Sequence, residues 1–204
     1  MTTLECFFDC SSPWTYLAFE SLQPVAAEFD VAIDWRPILV GGIFNTINPT
    51  VYASREKPVP QKQRYLAKDL RDWARYSKLD IRFPTTVFPV NSVKAMRACI
   101  ALAPQGKLVA FARETFHIYW TEDRDISQDD VMREICARAG VDEGFLFDAI
   151  ANLEIKDALK RNTDEVMARG GFGSPTIFVD RDDMYFGNDR MPLIRDALAR
   201  SLGR

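Results

Sequence analysis

Ser12 stands where an apolar run gives way to helix-start chemistry. Leu4-Glu5-Cys6-Phe7-Phe8-Asp9 reads as a buried strand, and Cys10-Ser11-Ser12-Pro13 ends it. A serine hydroxyl at the positive end of a helix donates a hydrogen bond to an anion, and it favours the thiolate form of a sulfur that arrives with a ligand. A second junction, Gly173-Ser174-Pro175-Thr176, precedes the apolar run Thr176-Ile177-Phe178-Val179. Extended backbone there offers the N–H and C=O of Ser174 as a docking edge for a peptide. A third junction, Gly187-Asn188-Asp189-Arg190, opens the last helical stretch. Free N–H groups at such a start attract a carboxylate, and the Asp189 side chain suits an ammonium group. Read singly, each junction has a plainer meaning: Ser12 as an N-cap ahead of Pro13, Pro175 as a loop-to-strand turn, Asn188 or Asp189 as another cap.

The elements that hold these junctions follow from periodicity. After the first strand, Trp14, Tyr16, Leu17, Phe19, Leu22, Val25 and Ala26 recur at helical spacing to about residue 29, and Val31 to Pro37 reads as a second strand. From Gly41 a Gly/Asn/Pro-rich stretch predicts an irregular loop. Helical patterns then cover 65–76, 92–103, 107–120, 127–139, 143–151 and 155–168, with breaks at Phe83-Pro84 and Phe88-Pro89. The end of the chain returns to strands at 176–179 and 184–186 and a helix at 190–202. This order predicts an α/β fold: a thioredoxin-like domain, βαβ…ββα, built from residues 1–44 and 170–204, with a large all-helical insertion at 45–169. On that architecture Ser12 and Thr15 occupy the two sulfur positions of a C-x-x-C redox motif. Thiol–disulfide exchange needs an attacking thiolate and a resolving thiol, so the site as written excludes it. Pro175 is expected to be cis.

Composition narrows the function further. A net charge of -3 provides no field for nucleic acid or an anionic membrane. No window approaches the roughly 20 apolar residues of a membrane span, and a cytoplasmic protein is expected. Cys6, Cys10, Cys99 and Cys136 form no C-x-x-C pair, and His117 is the only histidine. That pattern predicts neither a metal site nor a disulfide framework but mostly buried, reduced thiols. Strand alternation puts Cys10 on one face with Cys6 and Phe8, toward the core. His117, beside Phe116 and Trp120, reads as a structural residue.

Phe8-Asp9-Cys10-Ser11-Ser12-Pro13-Trp14-Thr15-Tyr16-Leu17-Ala18 resembles the DxxSPxxYLA opening of the kappa-class glutathione transferase and 2-hydroxychromene-2-carboxylate isomerase family, itself related to DsbA-type thioredoxin folds. Further matches are Arg36-Pro37-Ile38-Leu39, Gly42-Ile43-Phe44, Pro60-Gln61-Lys62, Phe83-Pro84, Ala95-Met96-Arg97, Gly171 to Thr176 and Phe186 to Arg190. The resemblance implies glutathione as cofactor, with Ser12 hydrogen-bonding its sulfur. It implies Asn48 near that sulfur, Lys62 on the glycine carboxylate, Ser174 and Pro175 docking the cysteine moiety, and Asn188 with Asp189 holding the γ-glutamyl end. Trp14 stands where many relatives carry Tyr or Phe, which reshapes the mouth of the site. A small aromatic substrate is expected against Trp14, Phe44, Tyr65, Phe88 and Trp120, between the helical block and the thioredoxin-like domain. The implied activity is a glutathione-dependent isomerase; the alternative is a transferase that releases a conjugate. The resemblance also implies a homodimer.

Overall fold

The computed structural model describes residues 2–204. Its centre is a four-stranded mixed sheet in the order β2-β1-β3-β4. β1 (Leu4–Phe8) pairs in parallel with β2 (Ile33–Pro37), Cys6 lying opposite Trp35. On its other side β1 pairs antiparallel with β3 (Thr176–Val179), which continues through a tight turn into β4 (Asp183–Phe186). The central pair is largely apolar, Glu5 being the exception on β1, where it pairs with Arg169 at 2.6 Å.

The crossover from β1 to β2 is α1 (Pro13–Phe29). It starts with Ser12 as N-cap and Pro13 in its first turn, and it stops at Asp30, whose φ of 55° is left-handed. Between β2 and β3 run α2 (Val40–Thr46), α3 (Thr50–Glu56), α4 (Pro60–Tyr76), α5 (Val93–Leu102), α6 (Leu108–Trp120), α7 (Asp129–Ala139), α8 (Glu143–Ala151) and α9 (Leu153–Ala168). A short 3-10 turn at Asn188–Arg190 leads into α10 (Met191–Ser201).

Two cores sandwich the sheet. Leu4, Cys6 and Phe8 point into the larger one, with Phe19 of α1, Met96 and Cys99 of α5, and Phe111, Phe116 and Trp120 of α6. Phe8 packs at 5.7 Å on Phe19 and 5.6 Å on Trp35, so its truncation to alanine would cost about 3–5 kcal/mol. Phe7 points the other way, into a smaller core closed by Ile38, Ile43, Val166 and Phe178, and α2 and α9 cover that face. The helices of the inserted stretch thus flank the sheet on both sides, and among them α9 lies directly over it. No helix among the described residues is long and apolar enough to cross a membrane.

The stretch from Gly41 corrects the expectation of an irregular loop, because it folds as α2 and α3. Ile43 is fully buried in the smaller core and holds α2 in place despite Gly41 and Gly42. The next helix starts at Pro60 rather than Tyr65, with the proline in the first turn, where its missing N–H costs nothing. At the end of the chain, Asn188–Arg190 forms its own 3-10 turn before α10 begins.

Candidate active site

The hydroxyl of Ser12 lies where β1, α1 and the segment before β3 meet. Extended backbone at Ser12 (φ -113°, ψ 125°) turns the side chain back, so that Oγ accepts from Thr15 N at 3.3 Å and donates to Ser174 O at 3.3 Å. The Ser174-Pro175 bond is cis. The Ser174 N–H makes no hydrogen bond among the described residues, which leaves a donor beside the carbonyl that Ser12 faces.

Behind this pair lies a polar network that sequence reasoning did not single out. Asp9 is buried at the end of β1, and its two oxygens accept from Ser11 N and Val40 N, each at 2.9 Å. Its own N–H donates to Ser174 Oγ at 2.9 Å, and Ser174 Oγ meets Thr15 Oγ1 at 2.8 Å. Burial pushes the Asp9 carboxyl above its ordinary value, against the pull of the N–H groups it accepts from. Asp9 therefore clamps the Ser12 loop to the start of α2, and Ser174 to α1. The available signal was a carboxylate closing an apolar strand, a residue seldom buried without such partners.

Pro175 O accepts from Gly187 N at 3.3 Å, which brings the Asn188–Arg190 turn to the same end of the sheet. Gly187 has a φ of 103°, a conformation that glycine adopts readily. Asn188 is 6% exposed, and its amide pairs with no protein group among the described residues, an arrangement suited to a ligand that completes it. The Asp189 carboxylate faces outward and pairs with Arg190 at 3.0 Å. Asn48 is tied in from the other side, its Nδ2 donating to Phe172 O at 3.2 Å. A Cβ on Gly173 would come within 2.9 Å of the Phe186 ring, so any larger residue there would have to displace that ring.

Structure brings Ser12, Asn48, Ser174, Pro175, Asn188 and Asp189 to one end of the sheet. Lys62 is exposed in the first turn of α4, and no hydrogen bond or ion pair links it to that group. Among the aromatic residues, Trp14, Phe44 and Phe88 are half-buried. Trp120 corrects the expectation of a pocket wall. It is fully buried, its Nε1 donates to Cys10 O at 2.8 Å, and Phe83 and Phe88 cover it, so it presents no surface to a substrate. Tyr65, 64% exposed on α4, makes no aromatic contact among the described residues that would place it in a pocket. A further residue, Arg55, lies with its guanidinium over Phe88, Phe44 and Tyr52.

All four cysteines are buried, Cys6 and Cys10 on the face that the alternation of β1 predicts, Cys99 on α5 and Cys136 on α7. Burial, with Asp9 and Cys99 close by, pushes the Cys10 thiol well up. Burial likewise raises Cys6 and Cys99, and it lifts Cys136 to about 11. None of these thiols supplies a thiolate near neutral pH. His117 sits half-exposed on α6, its Nε2 3.3 Å from Glu122.

Residues 3–199 match the DSBA-like thioredoxin domain. The chain belongs to that family. Over 98% of its length this DsbA-like chain superposes on 96% of a solved 2-hydroxychromene-2-carboxylate isomerase, with a TM-score of 0.81 and 22% identity, a likeness of fold. In sequence it is 29% identical to human Glutathione S-transferase kappa 1, covering 96% of this chain and 90% of the relative. It is 26% identical to the 2-hydroxychromene-2-carboxylate isomerase of Sphingobium xenophagum, covering 96% and 97%. Ser12 and Thr15 thus open α1 of a DsbA-like domain whose own thiols are all buried.

Proposed function

We propose that this DsbA-like protein is a glutathione-dependent isomerase of the 2-hydroxychromene-2-carboxylate type, acting on a small aromatic carboxylate in the cytoplasm. One observation carries the reading: a serine hydroxyl at the α1 N-terminus faces a peptide-docking backbone in a chain whose own thiols are all buried. The relatives named as glutathione transferase and isomerase support it. Bound there, glutathione supplies a thiolate nucleophile that adds reversibly to a conjugated carbon, so that a double bond becomes rotatable and then re-forms.

This chain's residues supply the rest. The Ser12 hydroxyl donates to Ser174 O at 3.3 Å, longer than the usual 2.7–2.8 Å of an O–H···O bond. When an extended peptide pairs its own N–H with Ser174 O, the hydroxyl is released to donate to sulfur. The Ser174 N–H and the positive end of α1 stay fixed throughout. Asn188 completes its unpaired amide on the γ-glutamyl carboxylate, and Asp189 exchanges Arg190 for the ammonium group. Asn48 steadies the segment before Pro175, and Lys62 reaches the glycine carboxylate from the exposed turn of α4. Trp14, Phe44 and Phe88 offer the aromatic wall.

A transferase that releases a conjugate is the second reading, favoured by the 29% identity to Glutathione S-transferase kappa 1. We also propose a homodimer. Calorimetry with glutathione, followed by a count of free thiol before and after turnover of 2-hydroxychromene-2-carboxylate, tests both readings. Micromolar to millimolar affinity with no net loss of thiol is expected. Stoichiometric loss would establish the transferase, and absence of affinity at millimolar glutathione would remove both.

A further inference from the structure

Arg55 and Tyr52 tie the short helix α3 to the aromatic residues around the site, Tyr52 packing on Phe44 at 6.1 Å. The Arg55 guanidinium carbon lies 5.2 Å from the centre of the Phe88 ring, 5.8 Å from Phe44 and 6.0 Å from Tyr52. Phe44 and Phe88 each connect to the Ser12 region through one neighbour. On one side, Phe44 Cε1 lies 3.9 Å from where a Cβ on Gly173 would stand, next to the Ser174 carbonyl that accepts from Ser12. On the other, Phe88 packs at 6.3 Å on Trp120, which donates to Cys10 O two residues before Ser12. Asn48, just ahead of α3, is hydrogen-bonded to Phe172 O and fixes the start of that arch.

Despite this placement the charge of Arg55 is unspent. No carboxylate among the described residues pairs with it. Stacking over rings orients a guanidinium while its N–H edge stays free, and that edge matches a carboxylate in bidentate fashion. A flat aromatic acid lying against Phe44 and Phe88 would present its carboxylate to this edge. Lys62, by contrast, lies on a different helix with no aromatic support.

We propose that Arg55 is the specificity residue that reads the carboxylate of the aromatic substrate, distinct from the groups that hold the tripeptide. The inference rests on the isomerase reading for the role of the bound acid, but its test does not need glutathione. Naphthoate and its uncharged methyl ester are titrated against wild type, Arg55→Gln and Arg55→Lys by quenching of tryptophan fluorescence. No residue of α3 is buried, so both variants keep the fold. In Arg55→Gln, naphthoate affinity is expected to fall about 10-fold or more, the range of a charge-assisted hydrogen bond, while the ester changes less than about twofold. Arg55→Lys is expected to recover part of the loss, since it keeps the charge without the fork. Equal weakening of acid and ester would overturn the proposal, reducing Arg55 to a support for the rings. A separate glutathione titration of Arg55→Gln is expected to match wild type; a parallel loss there would overturn it in favour of a role on the tripeptide. The acid–ester contrast is read without glutathione, so it stands or falls independently of whether the wild type binds the tripeptide.

Discussion

Replacing Ser12 with alanine separates the two roles its hydroxyl can hold. As an N-cap, Oγ accepts one bond from Thr15 N at 3.3 Å, and Pro13 continues to preset the first turn after the change. Losing a serine cap typically costs about 1 kcal/mol. In a chain of this size that lowers Tm by roughly 2–4 °C, a small part of a domain stability of about 5–15 kcal/mol. As the donor that holds a thiolate, the same hydroxyl should matter more, since removing one positioned donor lowers turnover by about 10²–10³, or roughly 2.7–4 kcal/mol. Activity must therefore fall out of proportion to stability. Thermal melts and steady-state rates at saturating glutathione, run on one preparation of wild type, Ser12→Ala and Ser12→Thr, measure both. Threonine keeps the hydroxyl and is expected to stay far closer to wild type. A Ser12→Ala enzyme with the small drop in Tm and turnover within about threefold of wild type would leave Ser12 a cap and nothing more.

The buried cysteines predict that a thiol reagent titrates none of the four in native protein at pH 8 and all four in denaturant. Rapid modification of Cys10 in the native state would contradict its burial against Cys99 and Asp9. Asp9→Asn leaves one of two buried N–H donors, Ser11 N or Val40 N, facing an amide that cannot accept from both, and urea unfolding should show a lower midpoint at pH 4. Because burial raises the folded Asp9 pKa above its ordinary 3.8, its contribution to stability is full below that value and is lost as pH rises through the folded one. The gap between wild-type and Asn midpoints should therefore narrow from pH 4 to pH 8, and a widening gap would refute the burial argument.

The parts of the fold legible in the sequence were those with a strong local signal. An apolar run from Leu4 to Phe8 and a Ser-Pro start specified β1 and α1, and strand alternation placed Cys10 in the core. The Gly41 stretch was misread because glycine and asparagine signal loops locally, whereas a single buried side chain, Ile43, overrides them through packing. Trp120 shows the converse error. A tryptophan beside a cleft resembles a ligand wall, but the carbonyl that claims its N–H, Cys10 O, lies 110 residues away in sequence, and no pattern reports it. Asp9 and Arg55 escaped for the same reason. Each acquires meaning only from partners brought together by folding: Val40 and Ser174 for Asp9, Phe44 and Phe88 for Arg55.

The central claim is that Ser12 lowers the energy of a thiolate that the chain itself does not provide. Its most direct test is the ultraviolet absorbance of glutathione thiolate, titrated against pH in the presence of excess protein. The protein's own thiols, raised by burial, stay silent over the neutral range. With wild type, thiolate should appear well below the ordinary thiol value near about 8.5, and with Ser12→Ala the curve should move back toward it. Wild-type protein that binds glutathione yet leaves its titration superimposed on that of the free tripeptide would contradict the account.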